Sequence, residues 1–184
     1  ISNSQGVVSL YKKNGNTYDL QYTVLSPLAN NSNYTENYEE FGSSLVFVGN
    51  TLLIGAIKFK NKLAGSRNTG RVYKLNYITR RYNSWIDGDS QWYDSNYSFG
   101  NFIATNANNT IVAISSQSIN KGQVTLYNSA DYSVITNIQS SDTERLFGRA
   151  ISFSLTDNYI AISAIDNNEG VVNIYSLINT NSYD

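Results

Sequence analysis

The stretch that decides the fold runs from Phe147-Gly148 through Ser163-Ala164 to Gly170-Val171-Val172-Asn173-Ile174-Tyr175, because it repeats what precedes it. Phe147-Gly148 stands 48 residues after Phe99-Gly100. The same offset links Ser163 to Ser115, Gly170 to Gly122 and Tyr175 to Tyr127. An earlier copy reads Phe41-Gly42, Gly55-Ala56 and Gly70-Arg71-Val72-Tyr73, and a fragment of another, Gly6-Val7-Val8-Ser9-Leu10-Tyr11, opens the chain. Self-similarity at a fixed period marks one supersecondary unit stacked on itself.

Each unit is built from short runs that alternate apolar and polar residues, rich in β-branched and aromatic side chains and bounded by Gly or Asn, which is the pattern of strands. Asn14-Gly15, Gly49-Asn50, Asn108-Asn109 and Asp157-Asn158 lie between such runs and tolerate the positive φ of tight hairpins. A unit therefore reads as Phe-Gly, strand, turn, strand ending in two small residues, loop, Gly-x-Val-x strand and a Tyr-rich outer strand. Four antiparallel strands in about 48 residues is close to the blade of a β-propeller. A four-stranded sheet cannot bury both faces alone, so blades stack around an axis. The Phe of each Phe-Gly is expected to fill the space between blades, the Gly to admit the chain to the inner strand, and the small pairs Gly55-Ala56, Ser115-Ser116 and Ser163-Ala164 to sit near the axis.

The expectation is an all-β chain of about three and a half such blades: a partial blade at 1–38, a blade with an insertion at 39–96, a blade at 97–144 and an incomplete one at 145–184. About thirteen strands are predicted, with the last outer strand absent. A β-sandwich with coincidental repetition is the competing architecture.

Composition narrows the chemistry. The 184 residues contain no Cys, no His and no Met. Disulfides, thiol catalysis, thiolate metal sites and the commonest general base are excluded. The missing Met places a translation start upstream, as expected for a processed chain or a piece of a longer one. Net charge is −1, which leaves no global footprint for nucleic acid. The apolar runs are too short to span a bilayer. Polarity comes instead from 26 Asn with Ser, Thr and 15 Tyr, a composition read as secreted or surface-displayed. Asn30, Asn33, Asn96 and Asn108 each head an Asn-x-Ser/Thr acceptor and are candidate glycosylation sites, although an Asn-rich chain also makes such triplets by chance.

The units resemble FG-GAP repeats, the blades of integrin α-subunit propellers and their secreted relatives. The resemblance rests on Phe41-Gly42 with Gly70, Phe99-Gly100 with Gly122, and Phe147-Gly148 with Gly170, and covers nearly the whole chain. It implies a propeller acting through protein–protein contacts. The chain departs from the family in lacking the Pro of the Gly-Ala-Pro element. It also lacks the Asp-rich calcium loop between the first two strands, where only Asp157 supplies a carboxylate. One carboxylate across three loops cannot form an oxygen cage, so no metal or cofactor is expected.

Three groups of residues stand out. The first unit is longer than the others by an insertion carrying Lys58, Lys60, Lys62 and Arg67, with Arg71 following. Residues 58–81 hold eight of the thirteen basic residues and no acid. This segment reads as a solvated loop whose lysines discourage strand pairing, or as a patch for an anionic glycan or acidic partner. Trp85, Trp92, Tyr93 and Tyr97 surround Asp87-Gly88-Asp89. They read as an outer strand packed on its neighbour, or as a sugar-binding patch of aromatic faces beside carboxylates. Glu39-Glu40 and the pair Asp142 and Glu144 precede Phe-Gly motifs and read as solvated turns rather than catalytic carboxylates.

The function expected is a non-enzymatic extracellular interaction or structural module. Its partners would be other protein chains, further propeller segments or copies of itself, acting in adhesion or in a surface assembly or filament. The alternative is a lectin-like propeller that binds glycans. Neither nucleic acid nor membrane insertion is expected.

Overall fold

The computed structural model describes residues 6–29, 39–61, 67–88, 98–118, 122–141, 143–179 and 182–183. Among them the regular structure is strand and turn, without helix. The chain opens with a hairpin of β1 (Val7–Asn14) and β2 (Thr17–Leu25). Its turn is Gly15-Asn16, one step later than Asn14-Gly15, because Asn14 pairs with Thr17; Gly15 takes the positive φ of 60°.

Three antiparallel meanders follow. The first is β3 (Phe41–Val48), β4 (Thr51–Ala56), β7 (Arg71–Asn76) and β8 (Arg81–Asp87), interrupted by a small hairpin of β5 (Lys60–Asn61) and β6 (Arg67–Asn68). The second is β9 (Ser98–Thr105), β10 (Ile111–Gln117), β11 (Gly122–Asn128) and β12 (Val134–Gln139). In the third, β13 (Glu144–Arg145) and β14 (Ile151–Phe153) share one edge of β15 (Tyr159–Asp166), which pairs with β16 (Glu169–Asn179) and then β17 (Ser182–Tyr183). These are propeller blades one to three, preceded by two strands of a partial blade. The seventeen strands among the described residues exceed the expected thirteen by the two-residue β5, β6, β13 and β17. The last blade does carry an outer-edge strand, because β17 pairs with the end of β16, Leu177 opposite Tyr183. The turn at Asn167-Asn168 holds both residues at positive φ, as a two-residue hairpin requires.

The blades stack in sequence order, with the forward face of each against the rear face of the next. Val8 and Leu10 of the partial blade share a core with Leu52, Ile54, Tyr73 and Leu75 of the first full blade. Leu53 and Val72, on the other face of that blade, pack with Phe99, Ile114 and Tyr127 of the second. Ala113, Val124 and Leu126 of the second pack with Phe147, Ile160 and Ile162 of the third. Central strands are thus buried on both faces, which is why Leu52-Leu53-Ile54 reads as an unbroken apolar run rather than an alternation. Fully burying side chains of this size contributes about 1.5–3 kcal/mol each, so the inter-blade layers hold the stack together. Polar ties reinforce the outer strands: Tyr82 Oη donates to Leu25 O at 2.8 Å, and the Tyr22 hydroxyl donates to Tyr77 O.

Candidate functional site

The repeat motif makes one contact, used three times. Gly6, Gly70 and Gly122 each begin the third strand of a blade. At each, a Cβ would stand 2.0, 2.3 and 2.4 Å from the carbonyl oxygen of Phe41, Phe99 and Phe147, respectively, on the next blade. Only hydrogen at that position lets the Phe backbone settle, since no real Cβ approaches so closely. A parallel bridge between Gly70 and Phe99 adds direct backbone pairing there. The Phe rings themselves are buried between blades.

The second residue of each motif completes the seat. Gly42, Gly100 and Gly148 hold φ values of 92°, 83° and 85°. Their Cα atoms face Val8, Val72 and Val124 so closely that a Cβ would meet the valine Cγ2 at 3.1, 2.8 and 3.1 Å. Phe-Gly of one blade therefore docks on Gly-x-Val of the blade before it. Gly55, of the first small pair, is placed as tightly: a Cβ on it would stand 2.3 Å from Gly100 O, and Ser44 Oγ donates to that oxygen at 2.5 Å.

The fourth copy of this seat is uncovered. Among the described residues nothing lies within 4 Å of a Cβ on Gly170. Val72 and Val124 are fully buried, whereas Val172 is 64% exposed; Leu126 is fully buried, whereas Ile174 is 70% exposed. Tyr159 is half exposed beside them, and Ser152, Ala161 and Ile174 line an open recess on the same face. The rear face of the partial blade is also uncovered, with Val7, Tyr11, Tyr18, Leu20 and Leu25 exposed.

The structure brings part of the basic and aromatic groups together. The Arg71 guanidinium lies 3.7 Å from the centre of the Phe59 ring and 4.5 Å from that of Trp85. It also forks onto Asp87, with Nε to Oδ1 at 2.5 Å and Nη2 to Oδ2 at 2.9 Å. Strand register explains the meeting, since Arg71 pairs with Asp87 and Tyr73 with Trp85 across β7 and β8. Buried Phe59 anchors the insertion to the first blade's core, and Lys58 pairs with Glu40. Lys60 is half-buried, and Arg67 lies on β6. Asn108 Nδ2 donates to Asp157 Oδ2 at 3.0 Å, so this acceptor nitrogen already has a partner on the next blade. Asp157 also accepts from Asn106 Nδ2 and Ala107 N, tying two turn loops across blades. Asn30, Asn33, Asn96, Lys62, Asp89, Trp92, Tyr93, Tyr97 and Asp142 lie outside the described residues.

Two of the four acids before Phe-Gly, Glu39 and Glu144, are not solvated turns, whereas the Glu40 side chain stays substantially exposed. Glu39 is 1% exposed and Glu144 is also buried. Tyr73 Oη donates to Glu39 Oε2 at 2.9 Å, and Asn173 Nδ2 donates to Glu144 Oε1 at 2.5 Å. Tyr73 and Asn173 occupy equivalent places on the third strands of their blades, so each acid clasps its linker to the blade that follows. Burial pushes the Glu39 carboxyl up, against hydrogen bonds from Ser26 and Tyr73 and the charge of Arg71. Burial first, then Glu39, pushes the Tyr73 hydroxyl well up as well. Among the described residues no group of three or more Asp and Glu side chains could hold a metal ion.

No family model matches the chain, and no curated protein sequence matches it. In structure it is similar to the solved Dos1 propeller, with a TM-score of 0.53 and 16% identity over 92% of this chain. The chain spans 40% of the length of that propeller chain. The likeness supports the propeller architecture already evident in the stacked four-stranded sheets.

Proposed function

We propose that this chain is a non-enzymatic interaction module, a propeller segment of FG-GAP-like blades that acts through uncovered blade faces and inserted loops. The observation that carries the reading is the forward face of the third blade. It presents Val172 and Ile174 to solvent at positions where the preceding blade buries Val124 and Leu126 completely. Apolar residues repeated on one otherwise core-forming face mark a surface made for a protein partner. The reading extends to a secreted or surface-displayed setting, in adhesion or as a building block of an assembly. The Asn-x-Ser/Thr acceptors and the Cys-free, Asn- and Tyr-rich composition support that setting.

The test is affinity capture from the secreted fraction, run in parallel with the unaltered chain and with Ile174→Asp, followed by binding of the purified partner to both. A partner protein bound by the unaltered chain and lost with Ile174→Asp supports the reading. Identical binding by both chains contradicts it. So does glycan turnover that ends on Glu39→Gln.

A further inference from the structure

We infer that the forward face of the third blade is the seat for one specific occupant, another Phe-Gly blade lying outside residues 1–184. This rests on the interaction-module reading and says what the partner must look like. Three junctions within the chain show the same mating: Gly of Gly-x-Val beneath the Phe backbone, and Val against the left-handed Gly. Gly170 and Val172 reproduce the receiving half of that junction in sequence and in strand position. Gly170 does not adopt a left-handed φ. Nor does Gly122, whereas Gly6 and Gly70 stand at 68° and 72°; backbone geometry therefore leaves the missing side chain unexplained at Gly122 and Gly170, and the Gly122 junction shows what such a position receives.

The donor half does not come from residues 171–184. From each receiving Gly to the next Phe-Gly the chain runs 35, 29 and 25 residues, and residues 171–184 contain no Phe. A second copy of this chain is a poorer fit. Its own Phe41, Phe99 and Phe147 are already seated internally, and its uncovered rear face is the two-stranded partial blade, which carries no Phe-Gly. The occupant is therefore defined by its chemistry: an inner strand that opens with an aromatic residue and a left-handed glycine, on a blade with an apolar rear face.

The experiment uses the absence of Cys. Val172→Cys introduces a single thiol whose reaction with a maleimide reports whether the face is covered. Two extended chains carry a tethered stand-in for the occupant. Residue 176 is followed by a second copy of residues 129–184 in one and of residues 77–128 in the other. Asn76, Asn128 and Ser176 are equivalent in the repeat, so each extension continues the blade register and supplies a Phe-Gly. In the unextended chain the introduced thiol should label as fast as a free thiol at every protein concentration. In an extended chain labelling should slow by about 100-fold, the protection expected when reaction must wait for the docked blade to open. Adding Gly170→Ala should restore fast labelling in the extended chain while leaving the unextended chain's unfolding midpoint unchanged.

Fast labelling in both extended chains would overturn the inference. So would protection that survives Gly170→Ala. Protection of the unextended chain that grows with its own concentration would identify a second copy as the occupant and overturn it equally. Any of these results, combined with a partner that is still lost on Ile174→Asp, removes the mating rule and leaves the interaction-module reading standing.

Discussion

Gly122 lies directly beneath the backbone of Phe147, so that a Cβ on Gly122 would stand 2.4 Å from the Phe147 carbonyl oxygen and 2.8 Å from its Cβ. Two residues that define the repeat in sequence are thus the two halves of one junction between blades. The period exists because the junction must be made again at each blade.

Phe147 should therefore matter more than its size alone suggests. Its ring is fully buried in the layer between the second and third blades and meets Tyr175 edge-on at 6.5 Å. Phe147→Ala should lower the unfolding free energy by about 3–5 kcal/mol through lost burial and a cavity that close-packed strands cannot fill. Urea denaturation checks this. A loss below about 1 kcal/mol would mean that the third blade is not packed on the second.

Arg71 is spent on structure, between two aromatic faces and with its Nε and Nη2 both on Asp87. Lysine keeps the charge but neither stacks as a plane nor forks. Arg71→Lys should cost about 1–2 kcal/mol in thermal or urea unfolding. Stability equal to the unaltered chain would return Arg71 to the pool of free cations available to an anionic ligand.

Glu39 gives a pH signature. Its carboxyl is raised in the folded state, chiefly by burial, so the folded chain binds that proton more tightly than the unfolded chain does. Its contribution is complete below the ordinary glutamate pKa and is lost as pH rises through the raised value. Glu39→Gln removes this dependence. The variant's urea midpoint should therefore gain on that of the unaltered chain as pH climbs across that window. Parallel curves would show that Glu39 titrates as a solvated acid.

The order of the blades was legible in the sequence because Phe-Gly, the small pairs and Gly-x-Val each serve one local geometric need that recurs. The burial of Glu39 was not legible. An acid beside a turn looks solvated, and its partner Tyr73 lies 34 residues away on another strand. Phe59 was hidden for a similar reason, since it sits among lysines in an insertion that reads as a loop, and only the packed first blade shows it buried in the core. The Asp157 cross-tie joins two turns 49–51 residues apart, a separation that local pattern cannot connect.

The uncovered face predicts an asymmetry between equivalent positions. Ile174→Asp places a carboxylate at a site that is 70% exposed and should change stability by less than about 1 kcal/mol. Leu126→Asp places the same group at its fully buried counterpart and should abolish cooperative unfolding. Far- and near-ultraviolet circular dichroism through a thermal ramp separates the two outcomes. Equal damage would mean that Ile174 is covered.

The most direct test compares one substitution at two equivalent glycines, neither of which adopts a left-handed φ. Gly122→Ala drives a methyl group into the Phe147 backbone, whereas Gly170→Ala meets none of the described residues within 4 Å. Unfolding free energies by urea titration should show a loss of about 2–3 kcal/mol at Gly122. At Gly170 they should show no loss, or a gain of up to about 1 kcal/mol from the reduced freedom of the unfolded chain. Equal losses at the two positions would contradict the claim that the same seat is filled at Gly122 and open at Gly170.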